Sequence, residues 1–316
     1  MSQNFNPEII KTNFQKEEII LGIDEAGRGP VLGPMVYACA YWSISLDDKI
    51  KNYFHFDDSK KLTPQKRENL YEKINQYSNI IQYEKKIISP EEISYKMLKR
   101  KKISLNTISH EAALELIINS KKKGANIKKI RIDTVGNPID YKNYLSNILN
   151  DENIEIRVES KADANYPCVS AASIIAKVTR DKFIEQWNFY DKNTGSGYPS
   201  DIYTVNWLKR NFNEIFGYPN FIRFSWKTVS NIFKEKNCSC EWENYNEEEE
   251  LEKEKKMKKK KKNENDSNQQ ELFFGSKNNF VYKKKNMEKE SNCDLFKDNF
   301  IKNYYESSNI SLDVDL

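Results

Sequence analysis

The sequence predicts an α/β protein: a mixed five-stranded sheet flanked by helices, then a helical C-terminal extension and a disordered tail. Three observations predict it. Five short runs rich in β-branched and aromatic residues, bounded by turn formers, read as strands. The last two alternate with helical segments, which implies parallel pairing through right-handed crossovers. Beyond about residue 237 the composition shifts to charge and low complexity, too polar to bury a core.

The elements follow in order. Residues 18–24 (EIILGID), 34–42 (PMVYACAYW) and 81–88 (IQYEKKII) are the first three strands. A glycine-rich segment joins the first two, so they are expected to be antiparallel neighbours. Ser89-Pro90-Glu91-Glu92 opens a helix with a capping box and a proline at the first helical position. Residues 104–123 set Ile108, Ala112 and Leu116 on one helical face and end in lysines before Gly124. IKKIRID (127–133) precedes a helix opened by Asn137-Pro138, and IEIRVES (154–160) precedes a long helix over 167–189. Its small residues Ala171, Ala172 and Ala176 would let that helix approach its neighbour closely. Helices over 200–213 and about 225–236 complete the expected pattern. The expected division is a polar N-terminal arm (1–17), a folded domain with its helical extension (18–237) and a charged tail (238–316).

At 316 residues the chain can bury a sizeable core, whereas its net charge of +4 is too small to identify a polyanionic partner. In the tail, EEEELEKEKKMKKKKK (247–262) is an acidic run followed by a basic one. Lys255–Lys262 reads as a solvated linker, or as a nuclear import signal or weak nucleic-acid contact. Apolar clusters such as Leu272-Phe273-Phe274 resemble partner-binding motifs more than a domain. Five scattered cysteines make no disulfide framework, and the lone Cys238-x-Cys240 lacks the second pair of a zinc site. The polar N-terminus lacks a signal core and no run reaches the ~18 apolar residues of a membrane span. A soluble protein of a reducing compartment, with no membrane partner, is therefore expected.

The chemistry is expected in GIDEAGRGPVLGP (22–34), where a strand arrives at the adjacent acids Asp24 and Glu25. Asp133 ends the fourth strand, and Asp163 follows the fifth and precedes a helix. In an open α/β sheet, sites form beyond the carboxyl ends of the strands, so the four acids are candidates to meet. Adjacent strand residues point to opposite faces, so Glu25 should join Asp24 only if the chain bends, which Gly27 and Gly29 would permit. Asp163 alone could equally be a turn former or a helix cap. Only two histidines exist, His55 and His110, which argues against a histidine-bearing zinc site or a serine-type triad. An all-oxygen site of about four negative charges matches two hard divalent cations, most naturally magnesium. Two such ions can activate water and stabilise the leaving oxygen in phosphodiester cleavage.

Eight stretches carry a resemblance: GIDEAGRGPVLGPMVYACAYW (22–42), DDSKKLTPQKRENL (57–70), IISPEEIS (87–94), LNTISHEAA (105–113), IDTVG (132–136), SKADANYPCVSAASIIAKVTRD (160–181), GSGYPSD (195–201) and FGYPNFIRFSWKT (216–228). In this order they resemble the type 2 ribonuclease H (ribonuclease HII) family, and within it the catalytic subunit of the eukaryotic enzyme. The resemblance implies a ribonuclease H-like fold and an endoribonuclease that cuts the RNA strand of RNA–DNA hybrids. It extends this activity to single ribonucleotides embedded in duplex DNA, with 5′-phosphate and 3′-hydroxyl products. It makes Asp24, Glu25, Asp133 and Asp163 the catalytic, metal-binding acids, for two Mg2+ with Mn2+ as substitute. Gly27, Arg28 and Gly29 fall on the motif that approaches the 2′-hydroxyl at the RNA–DNA junction. Tyr198 falls on the tyrosine that packs on the DNA-side sugar, and Lys60 and Lys161 on basic positions near substrate phosphates. A nuclear enzyme of replication and ribonucleotide excision repair is implied, with accessory subunits B and C as partners in a heterotrimer. Gln269–Phe274 faintly resembles a sliding-clamp (PCNA) peptide, although its spacing is too short. A glycosidase using two of the acids would leave Gly27–Gly29 and Tyr198 unexplained.

Overall fold

The computed structural model describes residues 5–56, 62–187 and 193–238. Its centre is a five-stranded sheet in the order β3-β2-β1-β4-β5. The strands are β1 (Ile19–Ala26), β2 (Met35–Ser43), β3 (Gln82–Ile88), β4 (Ile127–Asp133) and β5 (Glu155–Glu159). The hairpin β1–β2 and the pair β2–β3 are antiparallel; β1–β4 and β4–β5 are parallel. The mixed sheet and its antiparallel first pair are therefore as the sequence predicts.

Nine α-helices occur among the described residues. They are α1 (Asp47–Phe54), α2 (Pro64–Gln76), α3 (Pro90–Leu98), α4 (Leu105–Lys122), α5 (Pro138–Leu149), the single turn α6 (Ala162–Asn165), α7 (Pro167–Glu185), α8 (Ile202–Arg210) and α9 (Lys227–Glu235). Local chemistry sets several starts. Ser89, Ser104, Asn137 and Asp201 each accept a backbone N–H at the head of α3, α4, α5 and α8. Helices α1 and α2 carry no apolar spacing that predicts them, because both are polar with few core positions. α2 is nonetheless signposted, with Thr63 accepting from Lys66 N ahead of Pro64. The long helix stops at Glu185, short of the expected residue 189.

Alternation along the strands makes two apolar layers. Ile19, Leu21 and Ile23 of β1 with Met35, Tyr37, Cys39 and Tyr41 of β2 face α4 and α5. Ile20 and Ala26 with Val36, Ala38, Ala40 and Trp42 face α7, whose Ala171, Ala172 and Ala176 complete that layer. A third cluster builds the C-terminal extension from Trp207, Leu208, Phe221, Ile222, Val229 and Ile232, together with Val31 and Leu32. Leu32 bridges Ile222, so the extension is hydrogen-bonded to the segment that leaves β1. Residues 5–17, expected as an arm outside the domain, lie against it. Asn126 N donates to Phe14 O, Thr12 N donates to Asn79 O, and the Phe14 ring meets Tyr41 edge-on. Cys39 and Cys168 are buried thiols that burial pushes well above the usual range, as core residues should be. Among the described residues no helix is long and apolar enough to cross a membrane.

The layer between β1 and α7 leaves no room for a side chain at Gly22, where a Cβ would overlap the Cys168 carbonyl carbon and the Val169 nitrogen. Gly22→Ala must push α7 away from the sheet and should cost on the order of 3 kcal/mol. Urea unfolding would check this; an unchanged midpoint would mean the layer is looser than it stands here.

Candidate active site

The acids converge where β1 outruns β4. The β1–β4 ladder ends at Ile23 opposite Ile132, while β1 stays paired with β2 through Ala26 opposite Val36. Asp24 and Glu25 therefore lie beside the end of β4, where a parallel neighbour stops. The expected bend is absent, and β1 runs straight through both residues. Asp24 points to the α7 side, where Ser173 hydrogen-bonds its carboxyl group, and Glu25 to the opposite side, near Tyr37 and Tyr141. Their carboxyl groups are still close enough for Asp24 to raise Glu25, and Glu25 N donates to Asp24 Oδ1 at 2.7 Å.

Asp133 ends β4, and its Oδ1 accepts the Ala162 N–H at 2.9 Å, fixing the turn into α6. Asp163 is buried within that single turn. The electrostatics report the convergence: Asp24 feels Asp133 and Asp163, and Glu25 feels Asp24 and Asp133. Burial first, and those charges second, raise Asp24 to about 7, and they hold Glu25 well above the carboxylate range.

Gly27 leaves the strand at φ +75°, and a Cβ there would overlap the Arg180 side chain, so both conformation and space demand glycine. Arg28 turns inward. Its Nη2 donates to Asn106 Oδ1 at the head of α4, and its charge opposes the rise at Glu25. Tyr198 is 46% exposed, and its ring lies over Gly29, where a Cβ would come within 3.1 Å. Asp201 pins the turn carrying Tyr198, accepting from Ser196 N at 2.6 Å and Ser196 Oγ at 2.7 Å, and these bonds hold its carboxyl down to about 2. Lys161 is exposed in a left-handed conformation just before α6. Lys60 lies outside the described residues, as do Cys240, Lys255–Lys262 and Gln269–Phe274.

The donor set suits a hard cation. All four acids offer oxygen, and Glu25 Oε2 is buried without a hydrogen-bond partner. Among the described residues no three His, Cys, Asp or Glu side chains already stand as a closed ligand cage. The carboxylates approach one another as neighbours, and their mutual repulsion is what a cation would relieve. Several supporting residues were not singled out from the sequence: Ser173 under Asp24, Asn106 on Arg28, and the half-buried Arg180 and buried Arg223 behind the loop. Arg223 stands in FIRFSW, a matched motif in which a buried cation is indistinguishable from a surface one.

This sheet, with acids at the ends of its two central strands, defines a carboxylate-site enzyme on a ribonuclease H-like fold. A family model described as ribonuclease HII matches residues 21–229, and the chain belongs to that family. It is a hydrolytic ribonuclease of the ribonuclease H class. It is 48% identical over 231 residues to the A-type subunit of ribonuclease H2 from Dictyostelium discoideum, covering 70% of this chain and 79% of that one. The ribonuclease H2 crystal structure from Pyrococcus horikoshii OT3 superposes with a TM-score of 0.60 at 33% identity, over 70% of this chain and 100% of that one. The ribonuclease HII of Archaeoglobus fulgidus, solved in complex with PCNA, superposes with a TM-score of 0.56 at 34% identity, over 67% and 96% respectively.

Asp24 predicts a pH dependence. An unfolded aspartate loses its proton near 3.8, but the folded chain holds this one to about 7. Between those values the folded state binds more protons, so the metal-free protein should lose stability as pH rises across that interval. Asp24→Asn should flatten the decline and raise the melting temperature on its alkaline side. Thermal melts in chelator across the interval check this; a wild-type stability that rises with pH would contradict it.

Proposed function

We propose that the chain is the catalytic subunit of a type 2 ribonuclease H, cutting the RNA strand of RNA–DNA hybrids and duplex DNA at single embedded ribonucleotides. One observation carries the reading: the buried Asp24 and the half-buried Glu25 beside it adjoin a glycine loop topped by an exposed tyrosine. Cleavage chemistry and a surface able to sense a 2′-hydroxyl are thereby adjacent.

Asp24, Glu25, Asp133 and Asp163 would hold two divalent ions, Mg2+ with Mn2+ as substitute, which when bound supply charge neutralisation and an activated water for in-line hydrolysis. The protein's own groups do the rest. Ser173 and the Glu25 N–H orient the Asp24 carboxylate, and the Ala162 N–H fixes Asp133. Tyr198 offers a ring face for the sugar on the DNA side of the junction, and Lys161 and Lys60 supply charge for flanking phosphates. Arg28 serves from its tether on Asn106. Hydrolysis by water leaves 5′-phosphate and 3′-hydroxyl ends. The biological role that fits is ribonucleotide excision and RNA primer removal in nuclear DNA replication and repair. As in the eukaryotic enzyme, accessory subunits B and C complete a heterotrimer. The segment Gln269–Phe274 is spaced too tightly for a clamp peptide, so no clamp contact is assigned to it.

The decisive assay is a DNA duplex carrying one ribonucleotide, incubated with Mg2+ or Mn2+. Cutting beside the ribonucleotide is read on a sequencing gel, and no cutting with either ion sinks the enzyme reading. Asp133→Asn should lower turnover by at least about a hundredfold. Asn keeps the Oδ1 acceptor for the Ala162 N–H, so its melting temperature should stay close to wild type. Tyr198→Ala should reduce cleavage at a single ribonucleotide roughly tenfold, the worth of one base–aromatic or sugar–aromatic stack. Long hybrids should lose less, because they present many alternative registers; equal losses would remove the junction-reading role.

A further inference from the structure

The loop leaving β1 turns its carbonyl oxygens inward. Arg223 is fully buried, and its guanidinium donates from Nη2 to Gly27 O at 2.5 Å, from Nη1 to Arg28 O at 2.9 Å and from Nε to Gly33 O at 2.9 Å. Trp226 donates from Nε1 to Gly29 O at 3.0 Å, and the Arg223 guanidinium lies 4.8 Å above its ring. The Arg223 main chain joins in, its N–H donating to Val31 O at 3.0 Å. Beyond them, Arg180 donates to Leu32 O and Pro34 O, each at 3.2 Å.

Peptide geometry converts this into a statement about the other side of the loop. Every peptide here is trans, so each C=O points opposite to the N–H of the following residue. Holding Gly27 O and Arg28 O against a buried guanidinium therefore turns the N–H groups of Arg28 and Gly29 outward. After Gly29 comes Pro30, which has no N–H to present. Among the described residues, neither outward N–H donates to another group of the fold. Two adjacent backbone donors, next to the acids and below Tyr198, are what remains for an incoming acceptor oxygen.

We propose that Arg223 and Trp226 are positioning residues for substrate discrimination: by gripping the loop's carbonyls, the C-terminal extension aims the Arg28 and Gly29 N–H groups at the 2′-hydroxyl oxygen of the ribonucleotide. The inference rests on the ribonuclease reading above and extends it to residues with no substrate contact of their own. Arginine suits the task because its planar fork serves three carbonyls from one buried position, which a lysine ammonium on a flexible stem does not. Burial and the neighbouring Arg180 both oppose the Arg223 charge, so the carbonyl bonds and the Trp226 ring are its compensation. Deoxyribose offers no oxygen at this point. Misaimed donors should therefore cost the preference for ribonucleotides while leaving phosphate attraction intact.

The test uses the full chain in an Asp133→Asn background, so that substrate binds without turnover. Fluorescence anisotropy gives Kd for a duplex with one ribonucleotide and for the same duplex entirely of DNA. Trp226→Phe keeps a ring over Arg223 and removes only the donor to Gly29 O. It should lower the ribonucleotide preference by roughly threefold to tenfold, the worth of one hydrogen bond, with the all-DNA Kd unchanged. Arg223→Lys should lower it further in the same direction; if that variant does not fold, Trp226→Phe decides alone. A preference that stays at the parent value, or two affinities that fall together, overturns the positioning role. A parent with no ribonucleotide preference would instead overturn the ribonuclease reading of the loop, and the two failures are distinguishable.

Discussion

The close approach of α7 to β1 is the constraint on which the site depends. It requires the absence of a side chain at Gly22 and small residues at Ala38, Ala40, Ala171 and Ala172. The closeness does more than fill a core. It seats Ser173 beside Asp24 and keeps water from the carboxyl group, so the acid at the strand end is both oriented and desolvated. A looser layer would let Asp24 hydrate and ionise as an ordinary surface acid, and the pressure toward a cation would fall with it.

Two kinds of unfavourable burial are set against each other across one short loop. On one side, Asp24, Glu25 and Asp133 repel one another at the ends of the inner strands β1 and β4. On the other, the half-buried Arg180 and the buried Arg223 lie close together and answer to carbonyl dipoles. The loop from Gly27 to Pro34 separates the two groups, and Arg28 leans toward the acids. Charged burial of this kind is costly to a resting fold, and function accounts for its presence.

The sheet was legible in the sequence because its signals are short-range. Strand runs ending in Asp24 and Asp133, a proline after a capping Ser89, and a helix rich in alanine each announce themselves within ten residues. The convergence of acids followed from topology, since strand ends on one side of a mixed sheet meet. What failed to show was decided at long range. The straight path of β1 through Glu25 replaces the expected bend because the β4 pairing stops at Ile23, leaving a flank that both carboxylates can reach. Arg223 is a cation in an aromatic run, and only the fold shows that it is buried. Helix α1 has just Ile50 and Phe54 in the core, too few for a periodic signal.

The grip on the active-site loop spans almost the whole domain in sequence. Gly27 and Arg28 are bonded to a residue 196 and 195 positions later, and Gly29 to one 197 positions later. Such contacts weigh heavily in the contact order, and loops of this size close late in folding. During synthesis the loop emerges early, while Arg223 and Trp226 leave the ribosome only near the end of the domain. All four acids are therefore made before the part that aims the loop. On the proposed reading, the emerging chain holds its acids before it holds the residues that set the loop beside them.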